Sequence, residues 1–158
     1  MKLTFSGHDS FVCKQYWLKK GIDFLAEENK FSDDSAVVEL GVGKNMVTAI
    51  RYWLRSFGLL DENERPNEMA EYLFGEDGRD PFLEDFGSIW LLHYLLVKTN
   101  RASIFNLVFN HFRKDKPEFS REQLKKYLVS ESPTPISEKT IETDVNVFLR
   151  TYVRPRES

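Results

Sequence analysis

The chain has 158 residues, of which 41% are hydrophobic, so it can fill the core of one domain or two small ones and is not a disordered sequence. It contains no apolar run near the roughly 18 residues of a membrane span, and its first residues lead into polar ones instead of a signal peptide. We therefore expect a cytoplasmic protein without membrane contact. A single cysteine excludes an internal disulfide, and the three histidines lack zinc-ligand spacing, so we expect no metal and no cofactor.

The net charge of −3 conceals an uneven distribution of charge. Residues 1–58 carry 8 basic and 7 acidic side chains, residues 59–87 carry 2 and 10, and residues 88–158 carry 12 and 8. The average argues against a uniformly basic nucleic-acid-binding protein. The distribution nevertheless leaves basic side chains on both sides of an acidic middle.

Three helices are predicted before residue 58. The first covers residues 11–25, with Asp9 or Ser10 as its N-cap and Gly21 as a position where it could break. The second covers residues 33–40, where an acidic pair suits the positive end of the helix dipole. The third covers residues 43–57, where apolar residues recur at steps of three and four and predict a buried face.

A small β wing is predicted after the third helix. Leu59 and Leu60 precede a polar stretch with Pro66, and an amphipathic run follows at residues 68–74. Three helices and then a strand pair is the order of a winged helix. The turn-rich sequence at residues 75–81 is typical of a junction, and we place a domain boundary near residue 87.

The second predicted unit is also helical. Apolar stretches at residues 89–97 and 104–112 predict two helices that form its hydrophobic base. Ser120 and Gln123 have the spacing of a capping box and open a helix that ends near residue 128, and Ser137 caps a last helix. The predicted fold is therefore mainly α, with tandem winged helix-turn-helix-like units at residues 1–87 and 88–158 and a small β wing.

The third predicted helix carries the pattern that indicates nucleic-acid binding. Gly41 can adopt a positive φ angle, which lets the second helix stop and the third begin at a steep angle, as a helix-turn-helix requires. Basic and hydroxyl side chains then recur on the outer face at steps of four, three and four, with no acidic residue among them. Such side chains contact phosphates and base edges in a major groove. The predicted DNA contacts are Lys44, Asn45, Thr48, Arg51, Tyr52 and Arg55.

The last predicted helix repeats part of this pattern at an offset of 95 residues. The match is imperfect, because the turn over residues 129–136 is longer and Glu142 replaces Val47. For both helices the simpler explanation is a charged outer face that is only solvated. We predict a second, weaker DNA-contacting surface made of Lys139, Thr143 and Arg150, which correspond to Lys44, Thr48 and Arg55.

The predicted wing is acidic. Asp61, Glu62 and Glu64 lie where many winged helices carry lysine or arginine, and only Arg65 accompanies them. Carboxylates at this place repel the phosphate backbone. We therefore expect the wing to stay off DNA or to face a protein partner.

Catalytic interpretations of the sequence are weaker. The His, Asp and Ser at residues 8–10 are the residue types of a hydrolytic triad, but immediate neighbours rarely converge on one reacting atom. Five acidic residues between positions 76 and 85 could gather Mg²⁺ for phosphodiester cleavage, although a solvated acidic linker explains them as well. No glycine-rich phosphate loop is present. The sequence thus predicts no self-sufficient catalytic centre.

Three separated stretches resemble one bacterial protein family. They are FSGHDSF at residues 5–11, LGVGKNMV at 40–47 continuing to IRYWL at 50–54, and FGEDG at 74–78 with DPFLED at 80–85; the likeness extends to WLLHY at 90–94. This once-uncharacterised family lies beside DNA phosphorothioation genes and includes the SspB component of the Ssp anti-phage defence systems. The resemblance implies DNA binding and, in SspB-type members, DNA nicking that accompanies sulfur-for-oxygen exchange in the backbone. Family members are longer, which implies an N-terminal fragment without any activity located further on.

The sequence leaves three functional hypotheses. The first is a DNA-binding module of a phosphorothioation defence component, with double-stranded DNA and other subunits of the system as partners and a homodimer as an option. The alternative is a protein-protein interaction adaptor in the same complex, whose acidic segment at residues 59–87 meets a basic surface. The third is Mg²⁺-dependent nicking by this chain itself, which requires a functional acidic junction.

Overall fold

A computed structural model describes residues 2–153, which form nine α-helices and one π-helical turn and contain no β-strand. The helices are α1 (Trp17–Ala26), α2 (Ala36–Leu40), α3 (Lys44–Ser56), α4 (Glu68–Phe74), α5 (Phe86–Thr99), α6 (Ser103–Leu107), α7 (Arg113–Asp115), α8 (Arg121–Glu131) and α9 (Glu138–Tyr152), with the π-helical turn Val108–Phe112 before α7. The prediction of a mainly α protein is confirmed. Among these described residues, no helix combines the length and the apolar character needed to cross a membrane.

Trp53 of α3 lies at the centre of the core. Its side chain is fully buried, and its indole Nε1–H donates to the carbonyl oxygen of Phe11 at 3.0 Å. Its ring meets Phe105 of α6 edge-on, with 6.0 Å between ring centroids. One cluster of buried apolar residues therefore extends across the predicted boundary near residue 87, which itself lies in the first turn of α5. The division into two units remains a prediction.

The first helix begins later than predicted. It starts at Trp17, because the residues before it form turns in which Asp9 and Ser10 take positive φ angles of 48° and 66°. Neither residue caps the helix. Gly21 does not break it either, because α1 packs so closely on α3 there that a Cβ at Gly21 would lie 2.7 Å from Cδ1 of Leu54.

The turn between α2 and α3 has the predicted geometry. Gly41 takes the left-handed conformation, with φ at 65°. Its N–H donates to the carbonyl of Val38 and the next N–H, of Val42, donates to Val37, both at 3.2 Å. These two bonds close α2 and turn the chain directly into α3.

The prediction of a β wing is wrong. The described residues between α3 and α4 contain one isolated bridge, between Leu60 and Pro66, and no strand pair. Asp61 Oδ1 accepts the backbone N–H groups of Asn63 at 2.8 Å and Arg65 at 3.0 Å. The Arg65 N–H is thereby diverted from the Asp61 carbonyl, and the helices α3 and α4 bound the other side of the bridge, so the ladder does not extend.

The N-terminal segment, residues 2–16, is held by two helices of the second half of the chain. Thr4 N–H donates to Ser103 Oγ at 2.7 Å, and Ser103 N–H donates back to the Thr4 carbonyl at 3.3 Å. Ser6 N–H donates to Asp144 Oδ1 of α9 at 2.7 Å. The same oxygen lies 3.3 Å from Nε2 of His8, and the His8 and Asp144 side chains are both buried. α6 and α9 therefore fix the path of this segment.

The second half departs from its prediction in α5. Ser120 and Gln123 form the predicted capping box, and Ser137 caps α9. The residues around positions 104–112 are largely buried, as predicted. On α5, Leu92 and Leu96 are buried in the core, but the other side of the helix is exposed, so only part of its apolar sequence forms the predicted hydrophobic base. The helix also presents an exposed set that we call the α5 apolar face, made of Phe86, Ile89, Trp90 and Tyr94.

Replacing Trp53 with alanine is expected to lower the free energy of unfolding by about 3–5 kcal/mol, because it removes the central side chain of the core. The matched control is Trp90→Ala, since Trp90 is 70% exposed and its loss should change stability by less than about 0.5 kcal/mol. Urea unfolding followed by circular dichroism measures both. Equal losses would contradict the assignment of Trp53 to the core and Trp90 to the surface.

Replacing Asp144 with alanine is expected to lower the free energy of unfolding by about 2–3 kcal/mol, because it leaves the Ser6 N–H without its acceptor and removes the carboxylate that faces the buried His8 ring. Glu142→Ala removes a carboxylate from the exposed side of the same helix and serves as the control. The same urea experiment distinguishes them. If both variants unfold at the same urea concentration, Asp144 does not anchor the N-terminal segment.

Candidate nucleic-acid interface

The outer face of α3 forms one wall of a cleft of about 390 Å³. The N-terminal segment and the loop between α5 and α6 form the rest. The cleft is lined by Thr4, Gly7, Thr48, Arg51, Tyr52, Arg55, Ser56 and Arg101. Four of the residues predicted as DNA contacts therefore meet here, and the other predicted residues lie outside the cleft.

The periodicity of α3 accounts for this wall. Val47, Ile50 and Leu54 are buried on one side of the helix. Since side chains three and four positions apart share a face, Thr48 and Arg55 are left on the other side, where both are exposed. The helix thus buries its apolar stripe and turns its basic stripe outward.

Arg51 is engaged by an ion pair within the protein. Its Nε lies 2.7 Å from Glu64 Oε1 and its Nη2 lies 2.8 Å from Oε2, which is a bidentate arrangement. These hydrogen bonds raise the pKa of Arg51 and lower that of Glu64, while partial burial acts against both shifts. The side chains remain 43% and 36% exposed, so solvent screens the pair.

Two further arginines lie near the same carboxylate. Arg55 Nε is 3.9 Å from Glu64 Oε1. The positive charges of Arg55 and Arg101 also contribute to the lowered pKa of Glu64, after the larger effect of Arg51. Three guanidinium groups thus surround one carboxylate, which leaves an excess of positive charge at the cleft.

Tyr52 forms the floor of the cleft instead of projecting from it. Its ring covers Gly7, where a Cβ atom would lie 2.4 Å from Cε2 of the ring, so glycine is required at that position. Its hydroxyl is buried and faces the side chain of Ser56. Burial raises the pKa of Tyr52, and the nearby Asp144 carboxylate raises it further. In this conformation Tyr52 cannot offer its hydroxyl to a base.

Lys44 and Asn45 lie beyond the cleft, in the first turn of α3. Both side chains are exposed. The Lys44 carbonyl accepts the hydroxyl of Thr48 at 3.4 Å, so Thr48 is partly satisfied by its own helix. A ligand that followed α3 from the cleft would meet these two residues next.

The residues predicted on α9 form a separate surface. Lys139 and Arg150 are exposed, and the Thr143 hydroxyl donates to the Lys139 carbonyl at 2.9 Å, as Thr48 does to Lys44 on α3. None of the three is among the described residues that line the cleft. The structure therefore does not combine the α3 and α9 sets into one site.

The candidate catalytic groups do not assemble. The buried His8 ring faces Asp144, while Asp9 and Ser10 are exposed in the turn that follows it. Both carboxylate oxygens of Asp80 accept backbone N–H groups of Glu84 and Asp85, at 2.9 and 3.0 Å, and these bonds lower the pKa of Asp80. Within residues 2–153, no three His, Cys, Asp or Glu side chains are grouped to hold a metal ion. The acidic junction instead shapes the turn that leads into α5.

Sequence reasoning missed four residues that line the cleft, Thr4, Gly7, Ser56 and Arg101, and it missed the contact of Glu64 with Arg51. Thr4, Gly7 and Arg101 belong to segments far from α3 in the chain, so helix periodicity could not find them. The stretch at residues 5–11 carried the one available signal for Gly7. Arg101 follows Asn100, whose φ of 53° ends α5, and nothing in the local sequence indicates that this arginine lies beside α3.

Comparisons with known proteins identify the family. Residues 5–158 match the family described as a protein of unknown function, DUF4007. A solved structure titled "SspB crystal structure" is 32% identical, with a TM-score of 0.81, and the match covers 94% of this chain and 49% of that one. A second, titled "Magnesium ion-bound SspB crystal structure", is 31% identical, with a TM-score of 0.77 and the same coverage. No curated protein matches the chain.

The chain thus spans about half the length of the two SspB proteins and shares the fold of that half. The predicted SspB-like family is confirmed. On the match over residues 5–158, the chain belongs to the DUF4007 family.

Proposed function

We propose that this chain is the DNA-binding module of a bacterial phosphorothioation defence component and holds duplex DNA along the outer face of α3. The observation that supports this most directly is the convergence of Arg51, Arg55 and Arg101 on one open cleft beside that face. Guanidinium groups bind phosphate oxygens through paired N–H donors, so a phosphate backbone is the polyanion that suits the cleft. Lys44, Asn45 and Thr48 continue the same face toward the start of the helix.

The ion pair of Arg51 weakens one of these contacts without abolishing the positive surface. Glu64 neutralises one charge, whereas the Arg55 and Arg101 charges remain in excess of it. A pair that is 43% and 36% exposed contributes little and can exchange with an external anion. Tyr52 acts in this proposal as a support for the cleft wall, because its hydroxyl is buried.

The second predicted surface, made of Lys139, Thr143 and Arg150, would contact DNA more weakly. Its place on α9, outside the cleft, fits a separate contact on the same polyanion. Two helix-turn-helix-like units at residues 1–87 and 88–158 would then each offer one helix. Contacts with other subunits of the phosphorothioation system, and a homodimer, belong to the same proposal.

We assign no nicking step to this chain. One of the two similar structures is magnesium-bound by its title, and its chain is about twice as long as the matched part. No three His, Cys, Asp or Glu side chains among the described residues are grouped around a metal position, and Asp80 already accepts two backbone N–H groups. Binding is therefore the function that these residues support.

The double variant Arg51→Ala with Arg55→Ala is expected to weaken duplex binding by about tenfold at low salt and to reduce the slope of log affinity against log salt by about two. The physical reason is the loss of two cations from the cleft. A charge-matched control removes Lys116 and Lys126, which are exposed and lie outside the cleft. Fluorescence anisotropy at two salt concentrations measures both. Unchanged affinity and slope in the arginine variant would refute DNA binding by this face.

The α5 apolar face supports a second candidate function, that of an adaptor for other subunits. Phe86 is 82% exposed and Trp90 is 70% exposed, and Ile89 and Tyr94 extend the patch along the helix. Exposed clusters of large apolar side chains are typical of protein interaction sites. Aromatic residues in particular supply much of the binding free energy at such sites.

The double variant Phe86→Ser with Trp90→Ser is expected to weaken association with co-expressed subunits of the phosphorothioation system by at least about tenfold. Its duplex affinity should stay unchanged, because neither residue lines the cleft. Tyr72→Ser, on the exposed side of α4, is the control. Pull-down with each subunit separately measures association. Full association of the double variant would rule out the adaptor function for this face.

A further inference from the structure

The loop between α3 and α4 places a carboxylate among the three arginines of the cleft. Glu64 forms two short bonds to Arg51 and lies 3.9 Å from Arg55, and Arg101 lies on the same side. A carboxylate and a phosphate both present two oxygens that match the fork of a guanidinium. Glu64 therefore occupies a position in which a phosphate would form the same bonds to Arg51.

The loop is built to hold Glu64 in that position. Glu64 has a positive φ of 58°, a conformation that is unfavourable for a residue with a long side chain. Asp61 fixes the turn through the N–H groups of Asn63 and Arg65, and Arg65 Nη1 donates to the carbonyl of Leu25 at the end of α1, at 3.1 Å. None of these bonds uses the Glu64 carboxylate. The loop between α3 and α4 would therefore keep its turn without the Glu64 carboxylate.

The pair with Arg51 can also be replaced. Both side chains are more than a third exposed, so water and external anions reach the pair, and its net strength is low. A phosphate held there would gain a bidentate bond to Arg51 together with the charges of Arg55 and Arg101. The displaced carboxylate would turn toward solvent beside its exposed neighbours Glu62 and Asn63.

We propose that Arg51, Arg55 and Arg101 form a binding site for one phosphate group, in which the Glu64 carboxylate is a built-in competitor that must leave Arg51 before the phosphate binds. That the phosphate group comes from the backbone of duplex DNA rests on the proposed function. The site itself requires only phosphate chemistry. In this arrangement Glu64 lowers the affinity for every isolated phosphate, so that stable binding requires the additional contacts along α3.

The test compares two variants that remove one negative charge from the same loop. Glu64→Gln keeps the size of the side chain and frees Arg51, whereas Glu62→Gln alters an exposed acid two residues away. Each full chain is titrated with a short duplex and, separately, with inorganic phosphate. The readouts are the dissociation constants and the NMR signals of the arginine Nε–H groups. Glu64→Ala is a second variant that also removes the carboxylate. It shows whether the result depends on how the glutamine side chain packs in the loop.

Glu64→Gln and Glu64→Ala are expected to bind both ligands about threefold to fivefold more tightly than Glu62→Gln. The salt slope for the duplex should change little, because Arg51 contacts the same phosphate in both proteins once the Glu64 carboxylate has left it. Adding Arg101→Ala to Glu64→Gln should remove most of the gain. If the Glu64 variants and Glu62→Gln bind both ligands equally, the competitor does not exist and the inference is overturned.

The two arms separate this inference from the proposed function. A gain for inorganic phosphate, with no duplex binding by any variant, supports the phosphate site and refutes DNA as its source. The reverse result is duplex binding that depends on Arg51 and Arg55 but is indifferent to Glu64. It would uphold the DNA-binding proposal and refute the competition by Glu64.

Discussion

The burial of the apolar stripe of α3 is the constraint on which the rest of the structure depends. Trp53 at its centre is enclosed by the N-terminal segment, α6 and the neighbouring turns of its own helix, and Ile50 and Leu54 pack under α1. Once this stripe is buried, the rotation of α3 about its axis is set. A helix turns by about 100° per residue, so Thr48 and Arg55 then have to face outward. The candidate interface is a geometric consequence of the core.

Much of the fold could be predicted from the sequence, because the signals are local. The apolar steps of α3, the glycine after α2 and the capping box of α8 involve residues a few positions apart. The β wing could not be excluded in the same way. The wing does not form because the side chain of Asp61 accepts backbone N–H groups that a strand pair needs. The exposure of α5 was hidden as well, since an apolar sequence does not reveal whether any other element packs against it.

The site shows the same division between local and distant information. Thr48, Arg51 and Arg55 were predicted together, because one helix orders them. Thr4 reaches the cleft through its hydrogen bonds with Ser103, 99 residues away in the chain, and Arg101 follows the end of α5, where the Thr99 hydroxyl donates to the Ser56 carbonyl. The acidic charge of the loop between α3 and α4 is visible in the sequence, and from that charge alone we predicted that the loop stays away from the phosphates of DNA. Its actual contact with Arg51 depends on the backbone conformation of a single residue, Glu64.

The meeting of Glu64 with the arginines connects stability to binding. Three guanidinium groups near one another repel, and the outer stripe of α3 offers no acid of its own to offset them. A carboxylate from the next loop reduces this repulsion, so it favours the folded state in the absence of a ligand. The same carboxylate competes with any anion that would bind there. A chain with a net charge of −3 can thus maintain a cluster of positive charges at one site. The condition is that Glu64 neutralises part of the positive charge of the site until a polyanion binds there.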